Sequence, residues 1–394
     1  MRIALDLRRI RNPGIGRYMR CLTEALLAVA PEHDYVLVLP PDGADLITGG
    51  GPGVEKLISE LKYYSLREQV EIPRILRRHR VDLLHSPHFN LPLLCSCPCV
   101  TTIHDVIYLA CPEDLPSRVG RLYYRAMMHH AIHAADAIIT DSDFSRTEIH
   151  HYLKTKREIQ VVHPAVDARF RPITDAEALD DVRKRFGISG DYVLYTGIFK
   201  RRKNHGGLLR AFRRLAELRP DAKLVISGPL DEGERDLRNL AEQLNISARV
   251  VFTGFVEDSD LPALYSAAAV YACPSLYEGF GFTVLEAMAC GVPVVCSAET
   301  SLPEIAGDAA LYADARDPLQ FGAALHRAFT DSDLRRNMVE KGKANVRRFD
   351  WRATALQTLA VYQQVVGLSN ASSSVPQSSE RPALLSSRSS GGAG

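Results

Sequence analysis

Short apolar segments alternate with longer segments of helical periodicity along almost the whole chain, and this alternation limits the possible fold more than any other feature. It is typical of α/β proteins with mostly parallel strands. The predicted strands of the first half are residues 2–7, 35–39, 81–85, 100–104, 137–140 and 159–162; those of the second half are residues 192–197, 222–227, 250–253, 270–272 and 292–296. We therefore expect two doubly wound, Rossmann-like domains facing a central cleft.

The domain boundary is predicted near Pro172, where a connector meets a new helix start. We expect a first domain at residues 1–172, a second at residues 173–350, and a helix at residues 351–368 that can cross back to the first domain. Residues 369–394 are rich in Ser and Gly and cannot bury a core, so they are predicted to be disordered. Ligands of doubly wound sheets bind outside the carboxyl ends of the strands, which places the expected active site in the cleft.

The composition argues against several classes of function. The 394 residues include 48 Lys and Arg against 47 Asp and Glu, a net charge of +1, so no overall charge attracts nucleic acid. The first residues are too few and too charged for a signal peptide, and no run reaches the roughly 18 apolar residues of a membrane span. We expect a cytoplasmic protein without a nucleic-acid partner.

Neither the cysteines nor the acidic triplets indicate a metal. Eight cysteines in an intracellular chain favour reduced thiols. The cluster of Cys95, Cys97 and Cys99 lacks the second ligand pair of a zinc site. Asp-Ser-Asp triplets begin at positions 141, 258 and 331, each before a helical pattern, and are interpreted as helix caps. We expect no metal and no cofactor.

A glycine-rich segment at residues 274–293 carries the most chemical information. Its helix is predicted to begin near Thr283 and to end at Gly291, so free N–H groups and the positive end of the helix dipole offer a diphosphate site. Glu278 before the helix and Glu286 inside it can face one ligand and accept hydrogen bonds from sugar hydroxyls. The other candidate substrate contacts are Gly279, Phe280, Gly281, Phe282 and Thr283. The alternative is a surface loop whose acids cap a helix.

A basic turn follows a second predicted strand and Gly197. Its four consecutive cations, residues 200–203, stand at a helix entrance, where positive charge is unfavourable unless an anion neutralises it. A diphosphate would do so, which makes Arg202 and Lys203 candidate ligands of the phosphates. A solvated basic turn is the alternative.

Two features of the first half are weaker signals. Gly14 and Gly16 follow the first strand and open a helix, but the third glycine and the acid of a dinucleotide site are missing, so a tight turn is the alternative. His104 stands at the end of a predicted strand beside Asp105, and a packed histidine is the alternative there. Ser142 is predicted to cap the helix that follows it.

Together, these motifs resemble the retaining glycosyltransferase family 4, which has the two-domain GT-B fold. The Glu-x7-Glu pattern of Glu278 and Glu286 implies that the first holds the donor sugar and the second the nucleotide ribose. The Gly-x5-Lys pattern of Gly197 and Lys203 implies that the lysine stabilises the leaving phosphate. Ile198 stands where many relatives have arginine, and Arg202 resembles the substitute of a subset.

The same resemblance implies that the loop of Gly14 and Gly16 lies over the donor phosphates and the acceptor, and that His104 and Asp105 lie near the transferred sugar. The chain resembles the mannosyltransferase-like branch, so GDP-mannose is the first expectation for the donor and a UDP-sugar the second. The acceptor would be a glycan or a lipid-linked sugar, read mainly by the first domain. A GT-B epimerase and a non-catalytic sugar-nucleotide-binding protein remain the alternatives.

A lipid-linked acceptor would bring the protein to the inner face of the membrane without spanning it. Four arginines of one predicted helix could assist, although a solvated helix face is the preferred interpretation; they are Arg74, Arg77, Arg78 and Arg80.

Overall fold

The computed structural model describes residues 1–229 and 232–373, which form two parallel sheets. The first sheet has the order β3-β2-β1-β4-β5-β6-β7. Its strands are β1 (Arg2–Asp6), β2 (Asp34–Leu39), β3 (Val54–Ile58), β4 (Leu83–Ser86), β5 (Cys99–Thr102), β6 (Ala137–Thr140) and β7 (Gln160–Val161). The second has the order β10-β9-β8-β11-β12-β13. Its strands are β8 (Tyr192–Thr196), β9 (Lys223–Ser227), β10 (Val250–Gly254), β11 (Val270–Cys273), β12 (Val294–Ser297) and β13 (Ala310–Ala313).

Helices connect the strands of each sheet and cover both of its faces. Those of the first half are α1 (Ile15–Val29), α2 (Glu68–Arg78), α3 (Ile107–Ala110), α4 (Arg118–Ala134) and α5 (Asp143–Leu153). Those of the second half are α6 (Ala176–Arg185), α7 (His205–Leu218), α8 (Glu232–Gln243), α9 (Leu261–Ser266), α10 (Phe282–Ala289), α11 (Leu302–Ala306), α12 (Pro318–Thr330) and α13 (Ser332–Val346). The last helix is α14 (Trp351–Ser373).

The central strands are buried on both faces, which is why they read as continuous apolar runs rather than as alternating ones. Ile3 and Leu5 of β1 point into one core of the first sheet, whereas Ala4 belongs to the core on its other face. The second sheet repeats this arrangement, with Leu194 of β8 in one core and Val193 in the other. Two doubly wound sheets with alternating helices confirm the predicted fold class.

Helix α14 packs on the first domain, although it follows the second in the chain. Ala355, Leu359 and Tyr362 share a core with Ile3 of β1, and the Tyr362 hydroxyl lies 2.5 Å from Nδ1 of the buried His85. The helix runs to Ser373, beyond the predicted end at residue 368. The rest of the predicted disordered tail lies outside the described residues.

No helix within the described part of the chain is long and apolar enough to cross a bilayer.

Candidate active site

The carboxyl edges of the two sheets meet at the glycine-rich loop between β11 and α10. The carbonyl oxygen of Gly279 accepts hydrogen bonds from the Ser142 hydroxyl at 2.6 Å and the Ser145 hydroxyl at 2.9 Å, both at the start of α5. A Cβ added to Gly279 would lie 2.8 Å from Cβ of Asp105 and 3.3 Å from the carbonyl oxygen of His104. The domains are therefore closed on each other at this loop, and a side chain at position 279 would separate them.

The loop before α10 leaves the N-terminal N–H groups of this helix without acceptors among residues 1–229 and 232–373. Gly281, with φ +107°, occupies the N-cap position and has no Cβ to strain. The Ser301 hydroxyl lies within hydrogen-bond distance of two loop carbonyls, those of Glu278 at 3.0 Å and Phe280 at 2.9 Å. Among the described residues, no acceptor receives a hydrogen bond from the main-chain N–H groups of residues 281–283. Unpaired N–H groups and the helix dipole make this end of α10 suitable for an anion.

The basic turn contacts the glycine-rich loop directly. Nζ of Lys203 lies 2.5 Å from Oε1 of Glu278, and the N–H of Leu276 donates to the carbonyl oxygen of Arg202 at 2.7 Å. Asn204 ends the turn with φ +56° and caps α7 by accepting from the N–H of Gly207 at 3.2 Å. Burial raises the pKa of Glu278, but the charges of Lys203 and Arg202 outweigh burial and hold that pKa below its usual range. Glu278 is therefore a carboxylate that can accept further hydrogen bonds.

The four cations of the turn divide into two pairs. Lys200 and Arg201 are exposed, whereas Lys203 and Arg202 are largely buried. Nε of Arg202 lies 2.7 Å from Oδ2 of Asp114, which belongs to the first domain, although the angle is too poor for a hydrogen bond. Arg202 thus links the two domains, a role that its sequence position did not indicate.

Glu286 faces the first domain rather than open solvent. One of its oxygens binds Nη1 of Arg17 on α1, and the other accepts from the Tyr265 hydroxyl at 2.9 Å. Nη2 of Arg17 also lies 2.8 Å from Oδ1 of Asp258. Burial raises the pKa of Glu286 above its usual range even though Arg17 opposes the shift. Both oxygens of this carboxylate already have partners, so a ribose would have to share or replace them.

His104 lies two residues beyond β5 and is fixed on both sides of its ring. Nδ1 is 2.8 Å from Oδ2 of Asp141, and Nε2 is 3.1 Å from the carbonyl oxygen of Pro87. Burial lowers the pKa of His104, but the adjacent Asp141 carboxylate outweighs burial and raises it. Both ring nitrogens face acceptors, so the geometry favours the charged imidazolium.

The other glycines predicted to lie at the site are required for two different structural reasons, close packing and a positive φ angle. A Cβ on Gly16 would lie 2.1 Å from the carbonyl oxygen of Ile10, so close packing requires this glycine. Gly14 and Gly197 have φ angles of +76° and +147°, which other residues adopt only with strain. The structure brings Gly197 to the start of the basic turn. Gly14 is the N-cap residue of α1, three residues before Arg17, which contacts the second domain.

The side chains of Phe280, in the loop, and Phe282, at the start of α10, pack into the protein. The Phe280 side chain is 4% exposed and packs against Phe349, so its main chain is the part available to a ligand. Phe282 is half-buried and contacts both domain cores. Thr283 occupies the first turn of α10 and is also half-buried.

Of the acidic triplets interpreted as helix caps, two make capping hydrogen bonds. Ser142 accepts from the N–H of Ser145 at 3.0 Å, and Asp331 caps α13. In the third, Asp260 occupies the N-cap position of α9 without a side-chain hydrogen bond, and Asp258 pairs with Arg17 and Arg169 instead. No group of three or more His, Cys, Asp or Glu side chains that could hold a metal occurs in the described ranges.

Several residues of the cleft were not singled out from the sequence. Arg17 stands within the Gly-x-Gly segment, so its position was available as a signal, and Asp141 directly follows β6. Asp114 and Tyr265 follow no recognisable pattern. Asp114 reaches Arg202 only where the two domains meet, and Tyr265 reaches Glu286 through the packing of α9 beside α10 within the second domain.

Two family models together match most of the chain. One described as Glycosyltransferase Family 4 matches residues 13–170, and one described as Glycosyl transferases group 1 matches residues 180–345. The chain is 37% identical over 290 residues to O-antigen chain mannosyltransferase B of Escherichia coli, covering 73% of this chain and 76% of that protein. It is 31% identical over 276 residues to serotype-specific mannosyltransferase WbdA of Escherichia coli, covering 68% of this chain but only 33% of that longer protein.

A solved structure of similar fold agrees with these matches. Anabaena HepE in complex with UDP-glucose superimposes with a TM-score of 0.74 at 19% identity, covering 92% of this chain and all of that one. At this identity the likeness shows a common fold alone. Together with the family models and the 37% identical relative, it establishes that the chain belongs to glycosyltransferase family 4 and is a glycosyltransferase with the GT-B fold.

Proposed function

We propose that this enzyme transfers mannose from GDP-mannose, with retention of anomeric configuration, to a hydroxyl of a glycan or a lipid-linked sugar. The observation that carries the proposal is the contact of Lys203 with Glu278 beside the unpaired N–H groups of residues 281–283. This arrangement suits an anionic leaving group next to a hydroxyl-rich sugar. The mannosyltransferase names of the two Escherichia coli relatives support mannose as the sugar.

A UDP-sugar is the second candidate for the donor. HepE binds UDP-glucose on the same fold, and the residues that face the nucleotide base are not specified by the motifs. Both donors present a diphosphate to the same cations, so the phosphate site does not discriminate between them.

In the proposed reaction the protein stabilises the leaving group by charge rather than by protonating it. Lys203, Arg202 and the N-terminus of α10 would neutralise the diphosphate as its bond to the sugar breaks, and no metal is required for that purpose. Such preorganised charge is often the largest single contribution to catalysis. Glu278 would hold a sugar hydroxyl, Glu286 the ribose, and the main chain of Gly279, Phe280 and Gly281 would line the site.

Retention would follow if the acceptor hydroxyl attacks from the face that the phosphate leaves, so that a leaving phosphate oxygen can take its proton. His104 is held too firmly by Asp141 and Pro87 to serve as a free base in the closed form. We propose instead that its Nε2–H donates to a substrate oxygen in place of the Pro87 carbonyl. Closure at Gly279 would limit hydrolysis of the donor by excluding water.

We further propose that the enzyme works in the cytoplasm, and that a lipid-linked acceptor brings it to the inner face of the membrane. The acceptor would lie against the first domain, on the far side of His104 from the donor.

The test begins with thermal unfolding in the presence of GDP-mannose, UDP-glucose and their nucleoside diphosphates. At one common ligand concentration the stabilisation increases with affinity and reaches about 2.7 kcal/mol at 100 times the dissociation constant, so the preferred donor should give the largest shift. Product analysis by NMR then reads the anomeric configuration of the new bond. Release of an altered free sugar would favour an epimerase. Binding of the donor without turnover would favour a non-catalytic protein. Either result contradicts the proposal.

A further inference from the structure

Three buried polar atoms without hydrogen-bond partners lie at the carboxyl edge of the first sheet. They are Nε of Arg9, the hydroxyl of Tyr63 and Nδ1 of His88, which follow β1, β3 and β4 respectively. Cζ of Arg9 is 5.4 Å from the ring centroid of Tyr63, and the rings of Tyr63 and His88 are 6.0 Å apart. His88 is only 5% exposed. Unpaired buried polar groups are costly, so three of them in one place indicate a missing polar partner.

This group of side chains adjoins the proposed reaction centre. Nε2 of His104 donates to the carbonyl oxygen of Pro87, the residue directly before His88. His104 and Asp105 also lie against Gly279, on the proposed donor side of the cleft. His104 therefore stands between the donor side and the segment of Pro87 and His88. A ligand that contacts His88 would therefore lie next to the transferred sugar, on the side of the first domain.

Tyr64 adds an exposed aromatic face to the group. Its φ angle is +65°, a strained conformation for a non-glycine residue that often marks a functional site. Its hydroxyl accepts from Nη1 of Arg9 at 2.5 Å, and its ring stacks on Phe89 at a centroid distance of 6.1 Å. The residue is nonetheless 42% exposed. Ligand sites combine aromatic side chains with a few polar groups. The exposed Tyr64 ring suits the apolar face of a sugar, and the unpaired polar atoms beside it suit the sugar hydroxyls.

The local charges favour a neutral ligand over an anion. Arg8 is buried between two carboxylates, with Nη2 2.7 Å from Asp6 and Nη1 3.0 Å from Glu68. Asp6, Glu68 and Arg8 together carry a net charge of −1, and the neighbouring Arg9 brings the total to zero. Burial, assisted by Arg9, lowers the pKa of His88 well below its usual range, so its ring is neutral. The nearby charged ring of His104 is paired with the Asp141 carboxylate, so no net positive charge remains to attract a phosphate or a carboxylate.

We propose that Arg9, Tyr63, Tyr64 and His88 form the subsite that binds a neutral sugar residue of the acceptor. This inference rests on the proposed function and specifies its acceptor as an uncharged glycan at the position next to the reaction. The Tyr64 ring covers the apolar face of the sugar. The unpaired atoms of the other three side chains are buried in this structure, and they bond the sugar hydroxyls when the loop of Tyr63 and Tyr64 moves to admit the sugar.

The test measures binding of the disaccharide mannobiose to the full chain without donor, by NMR titration. Tyr64→Ala and His88→Gln should each weaken this binding about tenfold, which corresponds to the loss of one good contact. Tyr64→Phe keeps the ring and should bind more tightly than Tyr64→Ala. Leu66→Ala is the matched control, because Leu66 is 89% exposed in the same loop and should have no effect. All four variants should bind GDP-mannose as the unmodified protein does, which shows that they are folded.

The inference is overturned if the unmodified protein does not bind the disaccharide, if Tyr64→Ala and His88→Gln bind it normally, or if inorganic phosphate competes for the same site. If GDP-mannose and UDP-glucose both fail to bind while the disaccharide binds in a Tyr64-dependent manner, the proposed donor is wrong and the sugar subsite stands. The two proposals can therefore fail separately.

Discussion

Nζ of Lys203 and Oε1 of Glu278, 75 positions apart in the chain, lie 2.5 Å from each other at the N-terminus of α10. The contact brings the basic turn after β8 and the loop after β11 into one site. An ammonium group has three N–H donors, so Lys203 can keep Glu278 and still donate to a phosphate oxygen. The pair therefore positions both a cation for the leaving group and a carboxylate for the sugar.

Replacement of this lysine should abolish most of the activity. Lys203→Ala removes one preorganised charge from the proposed leaving group, and we expect kcat to fall on the order of 10²–10³-fold. The measurement is the initial rate of GDP-mannose consumption with acceptor present. Lys200→Ala is the control, since Lys200 carries the same charge in the same turn but is exposed. Equal rates for both variants would contradict the assignment of Lys203.

Gly279 offers a test of domain closure that leaves the charged groups in place. In Gly279→Ala the new methyl group would lie 2.8 Å from Cβ of Asp105, so the loop and the Asp105 segment must move away from each other, which we expect to loosen the contact between the domains. We expect a rate loss of about 10²-fold, as for other misplacements of about 1 Å, with nearly unchanged binding of GDP. Small-angle scattering should show a larger radius of gyration. Normal turnover in this variant would mean that the contact at Gly279 is not needed for catalysis.

The sequence was sufficient for the class of fold and for most strands, because buried parallel strands leave strong apolar runs. It missed β3 and β13 for identifiable reasons. In β3, Glu55 and Lys56 interrupt the apolar pattern of an edge strand whose last residue, Ile58, is exposed. In β13, the segment Ala310–Ala313 is short and contains two alanines, so its apolar signal is weak.

Residues of the candidate site could be predicted where one short segment contains the whole motif. Contacts between the two domains could not be predicted. Glu278 and Lys203 stand in local strand–loop–helix motifs that can be read from neighbouring residues. The partners of Arg202 and Glu286 are Asp114 and Arg17, each in the other domain. No local periodicity encodes such pairs, since they depend on how the two sheets close on each other.

His104 should titrate above the ordinary histidine pKa of about 6.5, because Asp141 stabilises its charged form. A histidine with a raised pKa contributes stability that is complete below pH ~6.5 and is lost as pH rises through the raised value. The ring resonances in ¹H–¹³C NMR spectra report this titration, and His104→Asn identifies the signal. Asp141→Asn should lower the pKa of His104. A His104 signal that titrates below pH ~6.5 in the unmodified protein would refute the charged form.

Removal of Arg17 should destabilise the protein in a manner that depends on pH. In Arg17→Ala the buried carboxylate of Glu286 loses its cation and keeps only the Tyr265 hydroxyl, so its pKa, already raised by burial, should rise further. A carboxyl group with a raised pKa costs stability at pH values above its unfolded pKa, and protonation removes that cost as pH falls. The loss should therefore be about 1–3 kcal/mol near neutral pH, less than for a fully buried pair because Arg17 is partly exposed, and small near pH 4.

Urea unfolding of the variant and the unmodified protein at pH 4, 5, 6 and 7 measures this difference. Arg17→Ala combined with Glu286→Gln is the decisive control, because it removes the carboxylate that the single variant leaves unpaired. The double variant should recover part of the stability at neutral pH and show a flatter pH profile. A loss in Arg17→Ala that is the same at every pH, and unchanged by Glu286→Gln, would show that Arg17 stabilises the closed domains through Asp258 or Phe170 rather than through Glu286.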